Sequence, residues 1–252
     1  MSLQVANVSK SLGGLRILHE VSLAVPAAGL VGLIGPNGAG KSTLFAVISG
    51  FEPAETGSIA FESQSLGGLS PQARARRGLM RTFQVPRPFA FLSVRENLAV
   101  AAPQQRSERL VNAFVPRAAL RREQAAIAAK AEEVMALLNL GAVADLPAGQ
   151  LSGGQRKLLE LGRILMSDPR MILLDEPFAG VNPVLYEEIA DRILAINRRG
   201  VGFLVVEHNI AVLSRMVRHL YVLDRGRMLA DGAPGAVLKD EAVREAYIGG
   251  RA

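Results

Sequence analysis

The most constraining stretch of this chain is Gly35-Pro36-Asn37-Gly38-Ala39-Gly40-Lys41-Ser42, which follows the apolar run Leu30–Ile34 and opens a helical pattern. A G-x-x-x-x-G-K-[ST] spacing between strand and helix demands a βα unit whose loop N–H groups and helix N-terminus converge on phosphate oxygens. Glycines let the backbone fold inward, Lys41 would bridge the β- and γ-phosphates of a nucleotide, and Ser42 would reach Mg²⁺, with Thr43 beside it. The competing reading is a glycine-rich turn with a solvated lysine, and the strand and helix on either side weigh against it.

Three more apolar runs, at 171–174, 203–206 and 220–223, are bounded by polar or turn residues and alternate with helical patterns. Buried strands alternating with helices imply a parallel sheet covered on its faces. Val21-Ser22-Leu23-Ala24-Val25 and Ser58-Ile59-Ala60-Phe61-Glu62 alternate instead, as half-buried antiparallel strands do. Between about residues 86 and 165 the strand signal fades, and Ile127, Ala131, Val134 and Leu138 recur at helical spacing. The expected architecture is therefore α/β, with a parallel-sheet core, a flanking antiparallel sheet and a helical insert.

Asp175 and Glu176 directly follow the 171–174 run, where open α/β sheets place their ligands. Asp175 would hold Mg²⁺ through water, and Glu176 would orient or deprotonate an attacking water, because phosphoryl transfer depends on positioning and charge neutralisation. Taken alone, the pair has a less favoured competing reading as a solvated acidic turn before Pro177.

Composition closes off other classes. With 252 residues, 49% of them hydrophobic, the chain can bury a core without staples, and it has no cysteine for disulfides or thiolate metal sites. Neither a secretory leader nor an apolar run of the roughly 20 residues needed to span a bilayer is present in the sequence. The net charge of +6 is spread along the chain with modest clusters such as Arg74, Arg76, Arg77 and Arg81, so nucleic acid is not an expected partner.

Leu151-Ser152-Gly153-Gly154-Gln155 could be no more than a helix cap and turn, but it resembles the signature of the ATP-binding cassette (ABC) ATPases. The phosphate loop, Gln84 in Thr82-Phe83-Gln84, this signature, Asp175-Glu176 and His208 in Glu207-His208 follow one another in the order that family shows. The resemblance covers essentially the whole chain. It implies one ABC ATPase domain over 1–252: a P-loop NTPase (RecA-like) core with an antiparallel β subdomain over 1–85 and 166–252, and a helical subdomain over about 86–165. It also implies ATP and Mg²⁺ as ligands, Gln84 contacting Mg²⁺ or water, and His208 sensing the γ-phosphate beside Glu176. Ser152, Gly153, Gly154 and Gln155 would close on the ATP of a second cassette. His19 and His219 are read as structural.

Two positions depart from the family's pattern. Leu12 stands where an aromatic side chain commonly stacks on adenine, which predicts weaker or less base-selective nucleotide binding. Asn182 replaces a common aspartate, keeping hydrogen bonding without the charge. Arg81-Thr82-Phe83-Gln84, the stretch from Asp175 to Pro183, Val206-Glu207-His208-Asn209 and Glu245-Ala246-Tyr247-Ile248-Gly249 are similar to the ATPase subunits of importers for branched-chain and related amino acids, amides or urea. That resemblance implies membrane-spanning permease subunits, a second ATPase subunit, an indirect link to a periplasmic binding protein, and a peripheral seat on the cytoplasmic face of the inner membrane. Lipopolysaccharide-export ATPases share the Phe178-Ala179-Gly180 stretch, and soluble ABC ATPases form a further alternative.

Overall fold

The computed structural model describes residues 2–82, 87–103 and 117–249; Gln84 lies outside them. Six strands form one sheet: β3 (Leu30–Ile34), β6 (Leu79–Arg81), β7 (Met171–Asp175), β8 (Gly202–Val206), β9 (His219–Asp224) and β10 (Arg227–Gly232). Their spatial order is β10-β9-β3-β8-β7-β6, with every neighbouring pair parallel except β9 and β10. Every residue of β3, β7 and β8 is buried, which is why these runs, apart from Asp175 at the end of β7, carry no polar side chain and do not alternate. A second, antiparallel sheet runs β2-β1-β4-β5, from β1 (Leu3–Leu12), β2 (Leu15–Val25), β4 (Thr56–Phe61) and β5 (Gln64–Ser65).

The helix α1 (Lys41–Ser49) presents Leu44, Phe45, Val47 and Ile48 to a core shared with Leu3, Val5, Leu18 and Leu23 of the antiparallel sheet and Leu33, Leu173 and Leu204 of the parallel one. Burying a side chain of this size is worth about 1.5–3 kcal/mol, so α1, and the loop before it, are fixed from one face. Its C-terminal carbonyls are capped by Arg74 of α2 (Pro71–Arg76), whose guanidinium donates to Val47 O at 2.8 Å and Ile48 O at 2.7 Å. Burial pushes the Arg74 pKa down, yet its carbonyl partners hold the charge.

The contacts divide the chain into two compact units. One comprises Met1–Gln84, Pro169–Ala179 and Ile193–Ala252 and holds both sheets; α7 (Ile210–Met216), α8 (Pro234–Val237) and α9 (Glu241–Gly249) belong to it. The other comprises Val85–Asp168 and Gly180–Arg192 and is built on α3 (Val94–Val100), α4 (Arg117–Leu138) and α5 (Gly153–Leu165). Ala131, Val134 and Leu138 are buried on one face of α4, as their spacing requires. Residues 180–192 group with this helical unit, whereas the sequence pattern assigns them to the core. The reason is local: a Cβ on Gly153 would lie 3.1 Å from Gly180 O, and one on Gly154 2.8 Å from Leu185 Cδ1, so the two glycines admit that loop at backbone distance. Helix α6 (Tyr186–Arg198) contributes residues up to Arg192 to the helical unit and from Ile193 to the other. No helix among the described residues is long and apolar enough to cross a membrane.

Candidate functional site

Three neighbouring parallel strands, β3, β8 and β7, deliver the chemistry at their carboxyl ends, where such sheets open toward ligands. From β3 runs the phosphate loop. Its glycine at the start of the turn is obligatory: Gly35 has φ 156°, and a Cβ there would sit 2.0 Å from Leu223 O. α1 begins without a side-chain cap at Gly40, so its first N–H groups are left to a ligand. Lys41 turns back and donates to Gly35 O at 2.7 Å and Pro36 O at 2.9 Å. Burial lowers its pKa from the ordinary lysine value, and the nearby Glu176 and Asp175 only partly oppose this.

From β7 come the carboxylates. Asp175 is 2% exposed; its Oδ2 accepts from Arg81 Nη2 at 2.8 Å, and its N–H donates to Thr82 Oγ1 at 3.1 Å. Asp175 Oδ1 is buried with no partner. A buried acceptor of this kind, with the exposed Ser42 hydroxyl at the start of α1, fits a hard divalent cation that takes oxygen ligands. Bound there, Mg²⁺ would neutralise charge on substrate phosphates. Glu176 sits at φ 50°, a left-handed conformation that costs a non-glycine residue about 1 kcal/mol or more. Its Oε1 lies 2.8 Å from His208 Nε2.

From β8 comes the clamp that makes this pairing possible. Glu207 is 4% exposed, and its carboxylate accepts from Phe178 N–H at 2.9 Å, His208 N–H at 2.8 Å and Asn209 N–H at 3.0 Å. It therefore ties the loop after β7 to the loop after β8. Asn209 then caps α7, accepting from Val212 N–H at 3.2 Å.

These residues enclose a cavity of about 410 Å³ lined by Ile17, Asn37, Gly38, Ala39, Gly40, Lys41, Ser42, Thr43, Glu176 and His208. A larger one, about 710 Å³, opens at the other end of the strands among Leu30, Met216 and Arg218 and has no phosphate loop in its wall. The phosphate loop, Glu176 and His208 all line the first. Leu12 is 41% exposed at the tip of the β1–β2 hairpin and does not line the cavity, whose largest apolar side chain is Ile17. Sequence reasoning did not find Arg81, Thr82 or Glu207 as supports. Arg81 read as one of a basic cluster, and its partner lies 94 residues away.

In the helical unit, Ser152 caps α5 in a reciprocal box: its Oγ accepts from Gln155 N–H at 3.2 Å, and Gln155 Oε1 accepts from Ser152 N–H at 2.9 Å. Asn182 caps the following 3-10 turn, accepting from Val184 N–H at 3.1 Å.

A phosphate loop, an acidic strand end and a histidine paired to the second carboxylate, set on a parallel sheet with a helical insert, define a cassette-type nucleotide triphosphatase. Residues 18–179 match the ABC transporter family, and residues 227–252 match the family described as branched-chain amino acid ATP-binding cassette transporter. The chain belongs to the ABC transporter ATP-binding family and is an ATPase. It is 37% identical over 247 residues, 98% of this chain and 95% of the relative, to the probable branched-chain amino acid transport ATP-binding protein LivG of Archaeoglobus fulgidus. It is 35% identical to the lipopolysaccharide export system ATP-binding protein LptB of Escherichia coli, over 98% of this chain and 97% of that one. Among solved structures, the ADP conformation of the cassette MJ1267 superposes with a TM-score of 0.83 at 36% identity, covering 98% of both chains.

Proposed function

We propose that this ATPase energises uptake of branched-chain or related amino acids, amides or urea across the inner membrane, as a peripheral subunit on its cytoplasmic face. The match of residues 227–252 to the branched-chain cassette family is the observation that carries this reading. In it, Lys41 leaves the Gly35 and Pro36 carbonyls for the β- and γ-phosphates of ATP, while the uncapped start of α1 receives the remaining phosphate charge. Ser42 and Asp175 hold Mg²⁺. Glu176, aligned by His208, orients the attacking water, and Glu207 keeps the two loops in register. Gln84 contacts Mg²⁺ or water and couples nucleotide state to the helical unit.

Ser152 and the Gly153 and Gly154 N–H groups, at the start of α5, supply an anion cradle to the ATP of a second cassette. The γ-phosphate then belongs to the interface between cassettes, and its loss weakens their association. Permease subunits receive that motion, and a periplasmic binding protein selects the cargo.

The test is reconstitution of the chain with its co-purified membrane subunits in proteoliposomes and measurement of ATP-dependent leucine uptake. Leucine accumulation that requires ATP supports the reading; ATP turnover stimulated by lipopolysaccharide, with no amino acid uptake, would replace it with the export role that the LptB likeness favours.

A further inference from the structure

The short strand β6, at the edge of the six-stranded sheet, ends in a bracket for one residue of its neighbour. Arg81 pairs in register with Leu173 of β7, which lies two residues before Asp175. From that position Arg81 Nη2 donates to Asp175 Oδ2 at 2.8 Å, while the next residue, Thr82, accepts the Asp175 backbone N–H on its Oγ1 at 3.1 Å. Two consecutive residues thus grip the side chain and the main chain of Asp175.

The guanidinium is anchored in its turn. Its Cζ lies 5.7 Å from the centre of the Phe45 ring, and its Nη1 donates to Ser49 Oγ at 3.3 Å; both residues belong to α1, the helix that opens with Lys41 and Ser42. A planar fork held between a packed helix and a carboxylate has little freedom to turn. The arrangement does not serve the arginine's own hydrogen bonding, for its Nε is buried with no acceptor. Nor is an ion pair withdrawn from water a device for stability by itself, since apolar groups of similar volume often do as well. What the geometry secures is the orientation of the carboxylate: with Oδ2 engaged, Oδ1 is the oxygen left over, buried and unpaired.

We propose, on the reading that Ser42 and Asp175 hold Mg²⁺, that Arg81 is a positioning residue for the cation: by engaging Oδ2 it keeps Oδ1 aimed at the metal site before any metal arrives. A small cation that demands near-octahedral geometry gains from an oxygen already fixed in place, and the hydrogen-bond partners of metal-binding side chains typically carry an effect of about 10- to 100-fold on metal affinity. Arg81 does not line the nucleotide cavity, so its replacement should leave metal-free nucleotide binding alone. Nothing in this role depends on the identity of the cargo.

The test uses the whole chain and a fluorescent ADP analogue, titrated first in EDTA and then at fixed nucleotide with rising Mg²⁺. Arg81→Met removes the donor; Arg81→Lys keeps the charge without the fork and carries the test if the methionine variant does not fold. The half-saturating Mg²⁺ concentration should rise about 10-fold or more in Arg81→Met and about threefold or more in Arg81→Lys, with the ADP dissociation constant in EDTA within about twofold of the unaltered protein. Half-saturating Mg²⁺ that stays within about twofold in every variant that folds would overturn the proposal. A rise of equal size in the EDTA dissociation constant would overturn it as well, because the nucleotide site as a whole would then have loosened. Absence of any Mg²⁺ dependence in the unaltered protein would remove the cation site itself and leave Arg81 nothing to position.

Discussion

Arg81 holds one oxygen of Asp175 at 2.8 Å and leaves the other buried without a partner. The two side chains are 14% and 3% exposed, so this is an ion pair withdrawn from water. Removing one member of such a pair strands the other charge and typically costs about 3–5 kcal/mol. Arg81→Ala should therefore lower the urea midpoint by an amount equivalent to about 3 kcal/mol. The double variant with Asp175→Asn should lose less than the two singles added together. Strict additivity in that cycle would mean the pair is not the source of the effect.

The free oxygen, Asp175 Oδ1, carries a second expectation. If it answers a divalent cation, Mg²⁺ with ADP should raise the melting temperature of the unaltered protein well above ADP alone, and Asp175→Asn should erase that increment. An increment of equal size in Asp175→Asn would transfer the metal to other ligands.

How much of this was legible beforehand depends on how far apart the partners lie. The Leu30–Ile34 strand, the loop to Lys41 and the Asp175-Glu176 strand end are each written in consecutive residues, and the fold places them as written. β6 is only three residues long, too short to leave a periodic trace. Arg81 looked like surface charge because nothing near it in sequence is its partner. Glu207 reads in the sequence only as the residue before His208, since the Phe178 N–H it receives, the one that ties the two loops together, comes near only once β7 and β8 pair. Residues 180–192 joined the helical unit through glycine contacts that hydrophobic patterning does not register.

Glu207 should therefore be a residue whose loss damages catalysis without touching substrate. Glu207→Ala strips acceptors from three backbone N–H groups, of which that of Phe178 is buried, and an unsatisfied buried donor costs about 1 kcal/mol or more. Both the melting temperature and kcat should fall, while ATP affinity, set by the phosphate loop, changes little. A selective rise in ATP dissociation constant would contradict that division of labour.

Glu176 and His208 make the complementary case. Glu176→Gln retains a side chain of the same shape but cannot accept a proton, so turnover should drop at least about 100-fold while ATP binding persists. With ATP and Mg²⁺ the variant should run as a dimer on gel filtration, because on the proposed two-cassette site the γ-phosphate that bridges the pair is no longer consumed. A solely monomeric profile under those conditions would count against the two-cassette site.

Base discrimination should be slight. Ile17 is the largest apolar side chain on the cavity wall, and Leu12 is exposed on its hairpin; neither offers the aromatic face whose stacking adds about 0.5–1.5 kcal/mol beyond area. ATP and GTP should therefore differ in kcat/KM by less than about tenfold. Strict adenine selectivity would require a stacking partner elsewhere.

Lys41 gives the pH dependence its sign. Burial lowers its pKa below the usual 10.5, against the smaller upward pulls of Glu176 and Asp175, so the folded protein without nucleotide releases this proton earlier than the unfolded chain does. A depressed lysine costs stability while it is charged, and the cost is relieved as pH rises through the folded value toward 10.5. Phosphate oxygens of a bound nucleotide favour the ammonium and push the value back up. In the window between the two, ATP binding must take up a proton, and its affinity must decline on the alkaline side before an ordinary lysine would titrate. Calorimetry at about pH 9 in two buffers of different ionisation enthalpy should register that uptake. Lys41→Ala should bind ATP more weakly and show none, whereas equal proton uptake in both proteins would assign the titration to another group.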